Sequence, residues 1–418
     1  MIAAIFGVWA VIVSISLLMS GSALQGSLLG LRAPLAGFPD LVTGIIMSSY
    51  YFGFVFGALA VPRLVERVGH IRVFTALASL ASISALGHAV LVDAAVWAVL
   101  RILTGFCNIG LFIIAESWLN DRSTNETRGQ LLGVYMIAMS GSMAMGPLLL
   151  NVADPAGPVL FITASILVSM AVVPVSLTTY PAPHFENPAR LGIVELVRSS
   201  PLGVAGCFTN GATSGALVWL ASLYGTGLGM NIAHVSFFTA ATIVGGMILI
   251  WPVGRLSDRF DRRKILTIVA FTGGGAAFLA ALFAGPDPLV QIIAVAIVGC
   301  FVTPLYSLSI AHTNDHLLPE QMVAASSGLL LAAGIGGILG PTAAGAMMQL
   351  AGPAGYFWFP AITMALLGGF ALFRMTRRGP VPMDEQRDFV TVLRTSQVLT
   401  ESALRDHMDR DLGRMSKW

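Results

Sequence analysis

Long apolar runs alternate with short polar breaks along most of this chain. A helix that crosses a bilayer needs about 20 mostly apolar residues. That ruler predicts spans at 5–30, 41–62, 72–91, 95–118, 130–150, 157–178, 201–224, 235–254, 265–284, 289–311, 322–349 and 355–374. The breaks are Arg32 to Asp40, Arg63 to Arg72, Asn120 to Arg128, Asn151 to Pro158, Gly285 to Pro288 and Ala351 to Pro353. The two longest connections are 179–200, rich in proline, and the polar tail after Met375. The tail carries many acids and bases and no spanning run, and reads as either partly helical or disordered.

Composition supports the pattern. Of 418 residues, 56% are hydrophobic and 11% charged, and 45 are glycine. Mean hydropathy is +0.81. A soluble fold this apolar could not cover its own surface, whereas lipid tolerates Leu, Ile, Val and Phe facing outward. Abundant glycine suits helices that pack closely in a bilayer. Cys107, Cys207 and Cys300 all fall within apolar runs and read as small buried residues, not as a disulfide framework. No Lys or Arg precedes Arg32, so the first apolar run reads as a membrane helix and not as a cleaved leader.

The placement of charge adds orientation. Numbering the connections alternately puts Arg63, Arg67, Arg72, Arg122, Arg128, Arg190, Arg198, Arg255, Arg259, Arg262, Arg263, Lys264 and the basic residues of the tail on one side. The opposite side holds Arg32, and Arg101 lies within a span. Positive charge marks the cytoplasmic side, so both termini are expected there.

The chain also repeats itself at an offset of about 193 residues. Pro62-Arg-Leu-Val-Glu-Arg-Val-Gly-His-Ile-Arg72 follows the second span, and Gly254-Arg-Leu-Ser-Asp-Arg-Phe-Asp-Arg-Arg-Lys264 follows the eighth. Asn120-Asp121 matches Asn314-Asp315, and Gly146-Pro147 matches Gly340-Pro341. Two halves of about six helices each are the simplest account, at 1–178 and 201–375, with a linker at 179–200 and a tail at 376–418. Parallel repeats of this kind put a binding cavity between the halves, near the midplane.

The loops after the second and eighth spans resemble the signature loop of the major facilitator superfamily, Gly-x-x-x-Asp-Arg-x-Gly-Arg-Arg/Lys. The second copy keeps Gly254, Asp258, Arg259, Arg262 and Arg263, with Asp261 in place of the second glycine. The first copy has Pro62 for the leading glycine and Glu66 for the aspartate, while Arg67 and Gly69 remain. Glu116-Ser-Trp-Leu-Asn120, with Arg128-Gly129 following, is similar to a bacterial branch whose substrates are mostly unassigned. The resemblance implies an all-α membrane fold of twelve helices, with the first, fourth, seventh and tenth lining the pathway. It further implies that Glu66 with Arg67, and Asp258 with Arg259 and Arg262, latch the cytoplasmic side.

Arg101 begins a run, Arg101-x-x-x-Gly105, similar to the superfamily's fourth-helix motif. A cation at that depth either snorkels to the interface or faces a polar cavity, where it would bind an anionic group. Glu116 is the acid placed clearly within a span. It is a proton-coupling candidate, or an interfacial acid paired with Arg122 or Arg128. The rise between Arg101 and Glu116 is about 22 Å, so they cannot pair directly. Gln25, Asn108, Asn210, Trp219 and Tyr306 complete the candidate binding set with Arg101, and Tyr50 and Tyr51 lie in the second span. Each could equally hydrogen-bond between helices. As a set they predict an aromatic, amide-rich pocket with one cation, suited to a moderately amphipathic organic solute.

Gly336-x-x-x-Gly340-Pro341-x-x-Ala344-Gly345 predicts close packing and a hinge. His88, His234 and His312 are scattered and read as interfacial rather than metal-binding. There is no phosphate-binding loop and no hydrolase motif. The expected protein is a transporter and not an enzyme, with no cofactor, no metal and no nucleic-acid partner. Its expected partners are a small-molecule substrate, membrane lipid and, for coupling, protons. Proton-coupled export is weighed against import of a metabolite or organic anion, and against a non-transporting receptor or scaffold acting through the tail.

Overall fold

A computed structural model describes residues 2–123, 127–177, 193–382, 386 and 389. The described chain is all helix and turn. In order the helices are α1 (Ile2–Leu35), α2 (Asp40–Val68), α3 (His70–Val90), α4 (Ala94–Asp121), α5 (Arg128–Leu148), α6 (Val159–Met170), α7 (Val172–Ser176), α8 (Ile193–Ser199) and α9 (Pro201–Trp219). They continue as α10 (Ala221–Gly227), α11 (Ile232–Ile248), α12 (Ile250–Arg259), α13 (Arg262–Leu282), α14 (Pro288–Val302), α15 (Pro304–Asn314), α16 (Pro319–Ala351) and α17 (Gly355–Arg377).

Among the described residues, 11 stretches are long and apolar enough to span a membrane. The remaining expected span, 201–224, is helical but more polar. Its helix α9 carries Thr209, Asn210, Thr213 and Ser214 and is largely buried by neighbouring helices. A helix walled in by protein can afford such residues, and hydropathy alone then under-reads it.

Several predicted spans are not continuous. The seventh breaks at Leu220, between α9 and α10, and the eighth at Leu249, between α11 and α12. The tenth breaks at Thr303, where Pro304 cannot donate to the preceding turn. The helices also run past the apolar spans. The break expected from Arg63 to Arg72 shrinks to Gly69, whose φ of 95° reverses the chain between α2 and α3. Residues 63–68 remain helical because a helix satisfies its own backbone in water as in lipid.

Glycine sets the closest approaches. A Cβ on Gly53 would lie 1.8 Å from the Ile102 carbonyl oxygen, and one on Gly105 would lie 1.9 Å from that of Tyr50, so α2 and α4 touch backbone to backbone. Gly211, Gly336 and Gly340 do the same for α9 and α16. Here the expectation of close packing from Gly336 and Gly340 holds, and α16 continues helical through Pro341.

Contacts between helices preceding residue 178 and those following 193 concentrate at one end. There α2 packs along α16, and α5 against α11. Gly345 sits on Asp40, Gly44 on Pro341, and Gly334 on Val55. The Leu41 N–H donates to Gln349 Oε1 at 3.2 Å, Thr342 Oγ1 to Ser48 Oγ at 2.8 Å, and Asn151 Nδ2 to Ser236 Oγ at 2.8 Å. Arg32 closes the same end by donating to the carbonyls of Pro155 and Ala156.

Candidate functional site

Just below this sealed end, helices from both sides of the 179–192 stretch meet at one cation. Arg101, on α4, is fully buried. Its guanidinium lies 4.7 Å from the ring centre of Tyr50 and 4.8 Å from that of Trp219. Tyr50 comes from α2, held against α4 because Gly105 has no side chain. Trp219 comes from the last residue of α9, beside the break at Leu220. Its indole lies over Gly26 of α1, where a Cβ would be 2.1 Å from the ring, and its Nε1–H donates to Tyr51 Oη at 3.0 Å. Among the described residues, none of the three guanidinium nitrogens of Arg101 has a hydrogen-bond partner.

That arrangement selects between the two readings of Arg101. The side chain is enclosed by aromatic faces and does not snorkel. A buried guanidinium on two rings gains cation–π attraction, worth about 2 kcal/mol or more when desolvated. Its N–H donors remain unmet, and leaving them so costs free energy that an anionic or acceptor group would recover.

Asn108 lies about two turns further along α4. Its amide donates to Ser22 Oγ at 3.1 Å and to Tyr50 Oη at 3.4 Å, and its carbonyl oxygen has no partner among the described residues. Gln25 Nε2 is 3.3 Å from His88 Nδ1, which is 2.6 Å from the Ser84 carbonyl. Donation from Nδ1 to Ser84 leaves His88 Nε2 as an unpartnered acceptor among the described residues. His88 and His312 are both buried within the protein. Tyr51 belongs to the aromatic set that the sequence offers, whereas His88 was not among its candidate binding residues.

Asn210 and Tyr306 lie elsewhere. The Asn210 amide donates to the Val302 carbonyl at 2.8 Å, bracing the end of α14 beside its break. Tyr306 packs in a separate apolar cluster with Cys207, Ile310 and Met322. Glu116 is fully buried and accepts from Tyr135 Oη of α5 at 3.0 Å. The adjoining Ser117 and Trp118 contact His70, at 3.3 Å and 6.2 Å, tying α4 to the start of α3.

The two signature stretches differ. Glu66 and Arg67 are exposed on the last turn of α2, and neither forms an ion pair among the described residues. In the second stretch Arg262 is buried. It donates to Asp315 at 2.7 Å, to Asp258 at 3.3 Å and to Ser257 at 2.9 Å. Asp261 caps α13 and pairs with Arg263 at 2.8 Å. Burial raises the Asp261 carboxyl, but the hydrogen bonds and charge of Arg263 together outweigh it and hold the group below the usual carboxylate range. Arg259 is exposed. From the tail, the Phe389 N–H donates to Asp258 at 2.8 Å and its ring covers Gly254. The rest of the tail beyond 382, apart from Gln386, lies outside the described residues, as does 178–192.

The Major Facilitator Superfamily family model matches residues 1–330 and 222–406. The chain belongs to this superfamily. It is 28% identical over 315 residues to an uncharacterized MFS-type transporter of Yersinia pestis (strain Pestoides F), covering 74% of this chain and 81% of the relative. It is also 28% identical over 339 residues to the uncharacterized MFS-type transporter YcaD of Salmonella enteritidis PT4, covering 80% and 86%. Among solved structures it resembles the nucleoside transporter NupG, with a TM-score of 0.72 at 12% identity, covering 88% of this chain and 99% of that one. A bacterial homologue of the human lysosomal transporter Spinster, inward-facing and unoccupied, gives 0.68 at 12% identity, covering 96% and 97%. The superfamily's transporter fold therefore holds for this chain, and its relatives are transporters of unassigned substrate.

Proposed function

We propose that this superfamily member is a secondary transporter of the bacterial inner membrane, working by alternating access. In this reading residues 1–178 and 201–375 rock about the Arg101 site, and the signature-loop end is cytoplasmic. The observation that carries the proposal is Arg101 itself: fully buried, stacked between Tyr50 and Trp219 from opposite sides of the repeat, with its donors unmet among the described residues. The solute it suits is an amphipathic organic molecule with one anionic or acceptor-rich group for Arg101 and an apolar body for the rings. Sparse charge near Arg101 favours export of such a compound over uptake of a highly charged metabolite. Glu116, buried beneath Tyr135, is the candidate proton group for coupling.

A second reading keeps a specific observation. Phe389 rests on Gly254 and Asp258, which fits a receptor or scaffold that signals through its tail. The polar, unmet Arg101 site favours transport over it.

Cross-linking tests alternating access. Ser48 and Thr342 touch through their hydroxyls at 2.8 Å. In a background without the native cysteines, Ser48→Cys with Thr342→Cys should oxidise to a disulfide that holds this end shut. Flux in proteoliposomes should then stop, and return on reduction. Full flux through the cross-linked protein would overturn the mechanism.

A further inference from the structure

A second polar cavity lies far from Arg101, where the apolar span of α17 ends. A small cleft, partly open to solvent, is lined by Arg263, Arg374, Arg378, His312, His316 and Ser200, at the start of α9. No acid lines it. Arg374 and Arg377 occupy the last turn of α17, and Arg378 follows directly.

The charges are fixed in place. Arg263 donates to the Arg378 carbonyl at 2.7 Å, and Arg378 donates to the Ser199 carbonyl at 3.1 Å. These bonds tie α13, α17 and the α8–α9 turn around the cleft. Asp261 offsets Arg263. Arg374 has no ion pair among the described residues.

The start of α9 faces the same cleft. Ser200 stands at the N-cap of α9, but its side chain does not cap the helix; its hydroxyl accepts from Thr313 at 3.1 Å instead. The first N–H groups of a helix carry partial positive charge and bind anions when no side chain covers them. His312 is 5% exposed and stacks edge-on to His316 at 4.7 Å. Among the described residues, its ring nitrogens take part in none of the hydrogen bonds. Burial, with the charges of Arg378, Arg263 and Arg374 adding to it, pushes the His316 imidazole below its ordinary range. The local field is therefore positive, with Asp261 as the acid paired to Arg263.

We infer that this cleft binds a single phosphate group at the end of the α17 span, carried either by an acidic phospholipid or by a soluble phosphate. Guanidinium groups and an uncapped helix start recognise phosphate by charge-assisted hydrogen bonds. Basic pockets between membrane helices on the positive side suit acidic lipid headgroups. This site is independent of the Arg101 reading.

Native mass spectrometry of the delipidated, detergent-purified full chain tests it. Phosphatidylglycerol, phosphatidylcholine and inorganic phosphate are titrated in parallel. Phosphatidylglycerol should be retained in preference to phosphatidylcholine. Its binding should weaken by roughly tenfold or more in Arg374→Ala with Arg378→Ala. The Lys pair at the same positions, and Arg255→Ala on α12, should keep it. Displacement of the lipid by inorganic phosphate, with the same dependence on the two arginines, would assign the site to the soluble source. If the alanine pair does not fold, His316→Glu, which brings a carboxylate into the cleft, must abolish the preference. Equal retention of both lipids with no effect of phosphate, or a preference unchanged by these variants, would overturn the inference.

Discussion

Arg101 is the residue whose physics is least comfortable. A guanidinium taken out of water and given two aromatic faces, but no acceptor among the described residues, raises the free energy of the empty protein. A membrane protein keeps such a group when its partner arrives from outside. Arg101→Met, similar in length and apolar, should therefore stabilise the ligand-free protein. The gain should be on the order of 1–4 kcal/mol, by analogy with buried charges replaced by apolar groups. A thermal melt in detergent measures it, and a lower melting temperature would mean that Arg101 is a structural cation with a partner already in place. The sequence exposed Arg101 because a base in an apolar run has few explanations. It left snorkelling and cavity-facing equally open, since that choice depends on where Tyr50 and Trp219 come to lie. Asn210 and Tyr306 read alike with Asn108 in the sequence, yet helix rotation and the break at Pro304 direct them to other neighbours.

At the scale of elements, glycine and helix termini do most of the positioning. Gly105 lets α2 lie on α4, and a leucine there would collide with the Tyr50 backbone. Gly105→Leu should cost about 1–3 kcal/mol by overpacking and should displace Tyr50 from Arg101. Loss of ligand stabilisation with only a modest fall in melting temperature would separate the two effects. The cap of α13 gives a pH prediction. The folded Asp261 carboxyl sits below its ordinary range. Its stabilising contribution is therefore fully present above the ordinary carboxylate range, and is lost as pH falls through the lower, folded value. Asp261→Ala should lower the melting temperature by a similar amount at pH 6 and pH 8, with the difference shrinking only in acid. A penalty that varied between pH 6 and pH 8 would place the titration elsewhere. Spans and their order were legible because lipid demands long apolar runs. Helix ends were not, because helices outlast the hydrocarbon, so the supposed loop at 63–72 is one glycine. The break at Leu249 is marked by Pro252, which cannot donate to the Ile248 carbonyl, whereas the break at Leu220 left no such mark.

The whole molecule is sealed at the end that carries Asp40, Asn151 and Gln349, with Arg101 directly beneath the seal. The superfamily was legible from its signature stretches, whose chemistry survives in Arg262, shared between Asp258 and Asp315. The first stretch lies exposed here. Substrate identity was beyond the sequence because the proposed site is assembled from α1, α2, α4 and α9, which only packing brings together.

The most direct test of the central claim is a thermal-shift screen of the purified protein against organic anions, neutral metabolites and hydrophobic cations, repeated on Arg101→Ala. A ligand that binds the folded state raises its melting temperature by mass action. The account predicts stabilisation by an amphipathic organic anion in the native protein, and its loss in Arg101→Ala. Stabilisation that persists undiminished in Arg101→Ala would contradict it and remove Arg101 from the solute's path.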